Sequence, residues 1–176
     1  MRFGVLISSL TALALMGLAH AADSALAPFA GQWVGKVTVE TQGLTDFPNS
    51  VRDVGVAVVE DAAGFKIEWS TVRRESGVPQ NPDETATDTN VDFVAAGEGR
   101  WAAAGGDPAA GKPIWFARVD SGTLIISGFA MTSDGKAELQ TYSRTIEDGT
   151  MGIVYTRVVD GAVVRRASGT LTKFAQ

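Results

Sequence analysis

Residues 112–174 read KPIWFARVDSGTLIISGFAMTSDGKAELQTYSRTIEDGTMGIVYTRVVDGAVVRRASGTLTKF. Short runs rich in Ile, Val, Phe, Tyr and Thr are separated by Ser121-Gly122, Asp134-Gly135, Asp148-Gly149 and Asp160-Gly161. Asp-Gly between strand-like runs signals a hairpin, because a type I′ turn needs positive φ at both central residues. The spacing predicts an up-and-down antiparallel meander of five strands, at about 113–120, 123–132, 136–147, 150–159 and 162–174.

The same pattern extends upstream. Trp33, Val37 and Val39 alternate with Lys36, Thr38 and Glu40, which gives a strand with one half-buried face. Two further runs, Arg52 to Glu60 and Phe65 to Arg73, pair through a turn at Asp61 to Gly64. That pairing sets Val58 beside Ile67 and Val56 beside Trp69, in agreement with their apolar pattern. Shorter strands follow at Asn90 to Ala96 and Gly99 to Ala103. Between them and the preceding hairpin, Arg74 to Thr89 is acidic and broken by prolines, and reads as the longest loop, a lid or a solvated connector. No segment after the N-terminus carries a helical period.

The fold class is therefore all-β. An antiparallel up-and-down barrel of about 8–10 strands buries one face and leaves no edge; two packed sheets are the alternative. Gly35, Gly55, Gly128 and Gly152 fall inside strands, where a sheet bends sharply.

The N-terminus has the three parts of a secretory signal peptide: Arg2, an apolar run from Gly4 to Leu18, and Ala19-His20-Ala21 as a cleavage site. The expected organisation is a signal peptide at 1–21 and one β-barrel domain at 22–176, exported to the periplasm or the extracellular space. A retained membrane anchor is the competing reading, but the run is shorter than the ~20 residues a bilayer needs. No later segment is long and apolar enough to span.

The inventory excludes more than it suggests. The chain has no cysteine, and its one histidine, His20, lies in the signal peptide. The mature domain thus lacks the groups for a Ser-His-Asp or Cys-His nucleophile, a His or Cys zinc site, or His-ligated haem. With 15 Lys and Arg against 20 Asp and Glu, and no basic run, the chain is a poor partner for nucleic acid. Gly106 to Lys112 imitates a phosphate-binding loop, but Pro113 replaces its Ser/Thr and a strand follows. Asp88-Thr89-Asn90-Val91-Asp92 imitates a calcium loop, but Phe93 stands where the turn needs Gly and Gly99 where a bidentate Glu belongs. No cofactor or metal is called for.

Two-residue turns fix registers. Asp148-Gly149 sets Tyr142 opposite Tyr155 and Arg144 opposite Ile153. Asp160-Gly161 sets Tyr155 opposite Arg166 and Arg157 opposite Val164. Asp134-Gly135 sets Tyr142 opposite Ser127 and Gln140 opposite Phe129. One face then carries Phe116, Arg118, Phe129, Met131, Gln140, Tyr142, Arg144, Met151, Ile153, Tyr155, Arg157 and Arg166. The other carries Trp115, Leu124, Ile126, Gly128, Leu139, Thr141, Val154, Val158, Val163, Ala167 and Leu171. If the first face is inside, it offers rings and guanidinium groups to an amphipathic ligand with a carboxylate. If the second is inside, it is a packed core, and the arginines lie over the rings on the surface. Burying four unmatched arginines would cost several kcal/mol each, which favours the second arrangement.

Gly31-Gln32-Trp33, near the start of the first strand, resembles the opening G-x-W of lipocalins and related calycin barrels. The resemblance implies that Trp33 plugs one end of the barrel, against Arg165 or Arg166 through a cation–π contact. The chain lacks that family's T-D-Y triplet, its helix after the barrel and its disulfide, and has more than eight strands. What the resemblance implies is a calycin-like barrel and no particular ligand.

The expected function is an exported barrel that binds a small apolar or amphipathic ligand, with Phe116, Phe129, Tyr142, Arg144, Tyr155, Arg157 and Arg166 in contact. A filled barrel serving as an envelope structural or interaction module is the alternative. A third reading is a small enzyme using Glu138, Tyr142 and Tyr155 at the barrel mouth.

Overall fold

The computed structural model describes residues 24–42, 49–73 and 85–174. The expected signal peptide, and most of the expected long loop, lie outside those residues. Ten antiparallel strands close into one barrel: β1 (Gly31–Thr41), β2 (Asn49–Glu60), β3 (Gly64–Arg73), β4 (Thr85–Gly97), β5 (Arg100–Ala103), β6 (Ile114–Asp120), β7 (Thr123–Met131), β8 (Ala137–Glu147), β9 (Thr150–Val159) and β10 (Ala162–Lys173). Each strand pairs with its neighbours in sequence, and β1 closes on β10, so no edge is left unpaired. Closure rules out the two-sheet alternative. Among the described residues no helix is long and apolar enough to cross a membrane.

Four registers decide what faces the lumen. The Asp61–Gly64 hairpin pairs Val58 with Ile67 and Val56 with Trp69, as the apolar pattern demands. At Asp148-Gly149 both residues have positive φ, 49° and 75°, and the type I′ turn sets Tyr142 opposite Tyr155 and Arg144 opposite Ile153. The Asp134-Gly135 turn is different. Only Gly135 has positive φ, the Thr132 N–H donates to the Lys136 carbonyl at 2.9 Å, and three residues form the loop. Tyr142 therefore faces Ile126, and Gln140 faces Gly128, one residue from the expected register. A one-residue slip turns a strand over, so the two faces inferred from sequence are each half right.

The fourth register is broken by a bulge. After Asp160-Gly161 the ladder begins as expected with Ala162 opposite Val159, but it shifts between Val163 and Arg165. Beyond the shift Arg165 faces Arg157, Arg166 faces Thr156 and Ala167 faces Tyr155. Upstream, β4 begins at Thr85 rather than Asn90, so the last five residues of the expected loop, Thr85 to Thr89, are strand paired with β3.

One end of the barrel is solid. Phe65 stacks on Phe93 with centroids 4.8 Å apart, and Trp101 meets Phe65 edge-on. Leu124, Ile126, Met151 and Leu171 fill the space between them, and a short turn at Ala27–Phe29 brings Leu26 and Phe29 into the same core. Trp33 is buried at this end, and its indole Nε1 donates to the Phe29 carbonyl at 2.9 Å. The cation over its ring is Lys173, 5.3 Å from the centroid. This corrects the expected Arg165 or Arg166 partner: β1 pairs Trp33 with Lys173 and places those arginines opposite Thr41 and Glu40, at the far end of the strand. Gly31 makes room for the contact. Its φ is 112°, and a Cβ there would lie 2.8 Å from Lys173 Cε.

Replacing Trp33 with Ala should cost about 3–5 kcal/mol, because a large buried ring and a satisfied indole donor are both lost. Val154, which is 53% exposed on the outer face, should tolerate Ala within about 0.5 kcal/mol. Urea unfolding of the two variants provides the check; similar losses in both would contradict the inside–outside assignment.

Candidate ligand-binding cavity

Above the packed end, toward Thr41, Arg73 and Glu138, the lumen opens into a cavity of about 480 Å³. β1 and β2 contribute Val37, Val39, Val54 and Val56 as one apolar wall. Trp69 of β3 adjoins that wall, paired with Val56, and Trp115, Tyr142 and Ile153 line the rest together with Thr71, Thr87 and Thr89. Strand alternation does the positioning: every second residue of each strand points in. Trp115 has room to lie flat because of Gly128 across the ladder, where a Cβ would come within 2.5 Å of its ring.

Arg144 forms the floor. It is 1% exposed, with its guanidinium carbon 5.6 Å from the Trp69 ring centroid and 5.4 Å from that of Tyr142. The rings offer a cation–π environment, yet Nε and Nη1 have no hydrogen-bond partner. Burial pulls its pKa down to about 10, so the group stays charged at neutral pH.

The mouth is a ring of further polar groups. Glu138 is buried, accepting from Arg157 Nη2 at 2.5 Å and from Gln140 Nε2 at 2.7 Å. Gln140 Oε1 in turn accepts from the Tyr142 and Tyr155 hydroxyls at 3.2 and 3.5 Å. Burial alone would raise the Glu138 pKa, but the hydrogen bonds from Arg157 and Gln140 and the charges of Arg157 and Arg165 outweigh it and hold it below the usual value. Burial raises the pKa of both tyrosines, so both phenols stay protonated. Arg52 and Arg165 complete the ring, and the Nε atoms of Arg52, Arg157 and Arg165 are buried without a partner. Arg52 titrates below its ordinary value through burial first, then the positive charges of Arg165 and Arg73.

Of the residues singled out from sequence, Tyr142, Arg144, Tyr155 and Arg157 come together at this cavity. Phe116 and Phe129 do not: the slip at Asp134-Gly135 puts them on the outer face, Phe116 at 51% exposure. Arg166 is also outside, and the bulge brings Arg165 in instead. Trp33 lies at the opposite, packed end and does not line the cavity. Sequence reasoning missed Trp69, Trp115 and Arg52 as site residues. Arg52 and Trp69 were readable, since each continues the alternation of an apolar strand face with Val54 and Val56 or with Phe65 and Ile67. Trp115 was hidden by the misjudged turn.

No known family model matches the chain, and no curated protein does. Among solved structures the chain is similar to a protein of unknown function from the DUF3598 family of Nostoc punctiforme, with a TM-score of 0.54 and 14% identity. That match covers 84% of this chain and 48% of the other, so this chain spans about half the length of that structure. It is also similar to fatty-acid-binding protein 1 of Echinococcus granulosus, with a TM-score of 0.42 and 16% identity over 84% of this chain and 98% of that one. The likeness is one of fold alone, a β-barrel, and does not extend to a specific family.

Replacing Glu138 with Gln should lower stability at pH 7 by about 2–3 kcal/mol, because the partly buried Arg157 loses its anion. The folded-state pKa of Glu138 is depressed, so its contribution is complete above the unfolded value of 4.5 and is lost as pH falls through the folded one. The gap between wild type and Glu138→Gln in urea unfolding should therefore narrow below about pH 4.5. An equal gap at pH 7 and pH 3 would contradict the ion pair.

Proposed function

We propose that this protein is an exported carrier that holds a small amphipathic anion in the open half of its barrel. The ligand's acid sits on Arg144, and its apolar body lies against Trp69, Trp115, Tyr142 and the valines of β1 and β2. One observation carries the reading: a charged guanidinium, fully buried at the floor of an apolar-walled cavity, with two nitrogens unpaired. Such a group costs the fold several kcal/mol, and a carboxylate is the partner whose geometry suits it best.

The cavity speaks against the filled-barrel alternative, since only one half of the lumen is packed. The titrating groups speak against proton transfer. Glu138 is held ionised by Arg157, and the two phenols are held protonated, so none of the three is poised near neutral pH as a general acid or base is. Export is inferred from residues 1–21.

Medium-chain and aromatic carboxylates should bind saturably and quench the fluorescence of Trp69 and Trp115. Arg144→Met should weaken them by about tenfold or more while stabilising the unliganded fold by about 1–4 kcal/mol, because an uncompensated charge leaves the core. A variant that loses stability, or that binds as tightly as wild type, would overturn the proposal. Intact-mass measurement of the protein recovered from an exporting host should give a chain beginning at Ala22; an uncleaved chain would count against export.

A further inference from the structure

Resting on that reading, we infer that the ligand is anionic at both ends: a short dianion, such as an α,ω-dicarboxylate with an apolar middle, held upright between Arg144 at the floor and the arginines at the mouth. Position along the strands sets the spacing of the two charged levels. Arg144 pairs with Ile153 and Gln140 pairs with Arg157, so four residues of β9 separate the floor from the mouth. That is about 13 Å along a strand and about 10 Å along the axis of a barrel with tilted strands. Arg165 stands at the upper level, opposite Arg157 across the β9–β10 ladder.

Among the described cavity-lining residues, guanidinium groups outnumber carboxylates at both levels. The floor carries one guanidinium and no carboxylate among the cavity-lining residues. Among the described cavity-lining residues, the mouth carries Arg52, Arg157 and Arg165 around one carboxylate, Glu138, already engaged by Arg157. Each of these three arginines keeps a buried Nε without a hydrogen-bond partner. Between the levels the lining turns to rings and valines, with threonines to one side. A long-chain monoacid seated on Arg144 would push its apolar tail out among these charges, where it gains least. A molecule with a second acid about 10 Å from the first answers both levels. The reach also sets a limit: lengthening the apolar middle beyond about eight carbons places the outer anion beyond the mouth arginines.

The test compares octanedioate with octanoate by calorimetry at low ionic strength, on wild type and on Arg165→Gln. Octanedioate should bind about tenfold more tightly than octanoate to wild type. In Arg165→Gln the ratio of the two dissociation constants should fall toward one. Octanoate binding as tightly as octanedioate, or a ratio unmoved by Arg165→Gln, would overturn the two-ended ligand. So would failure of octanedioate to bind while other amphipathic carboxylates do, and that result would leave the carrier reading standing. If no carboxylate binds at all, the carrier reading falls with it.

Discussion

A guanidinium deep inside a protein has to be matched, and among the described residues Arg144 has the faces of two rings beside it and two nitrogens without a hydrogen-bond partner. Desolvation of an ion this size costs far more than cation–π contacts return. The rest of the site can be understood as what keeps that ion in place and charged. Arginine resists deprotonation where lysine would give up its proton, so even with its pKa drawn down to about 10 it presents a full charge at neutral pH. A closed sheet makes this tenable: the described strands pair all the way round the lumen, and Arg144 is 1% exposed.

The barrel also divides its labour along its axis. Phe65, Phe93, Trp101 and Trp33 lie toward the end where β1 begins, and there the apolar residues interlock. At the other end the inward positions turn to Thr71, Thr87, Thr89, Arg52, Arg157 and Arg165, which do not fill space in the same way. A solid half carries stability, and this allows the other half to stay open and charged at some cost to the whole.

Much of this architecture was legible in the sequence, because hairpins are local. Ser121-Gly122, Asp148-Gly149 and Asp160-Gly161 each have positive φ at both residues, as two-residue turns require. What was not legible depended on single backbone torsions. Asp134 keeps negative φ, with Thr132 closing the loop through its own hydroxyl, to which the Lys136 N–H donates at 3.0 Å. Nothing in the dipeptide distinguishes that loop from a type I′ turn, yet the difference exchanges Phe129 for Gly128 at the lumen. The bulge between Val163 and Arg165 is equally silent in sequence, and it decides which of two adjacent arginines reaches the cavity. Burial cost also misled: it argued for an apolar interior, whereas the inward face carries Arg144.

Why the cavity lies where it does follows from residue size rather than from charge. Trp69, Trp115, Tyr142 and Tyr155 crowd together, with ring centroids 4.7–6.2 Å apart along the series. Their neighbours on the inward face are small: Gly128 beneath Trp115, and Ala167 opposite Tyr155. The rings of β3 and β8 meet across the lumen, Trp69 to Tyr142 at 5.0 Å, and bound the hollow on one side, while the small residues leave room beside them. Substituting a bulkier residue at Gly128 would drive Trp115 inward and close that space from one side. The position of the hollow is thus set by pairs of residues across the ladder, and the guanidinium at its floor decides only what can fill it.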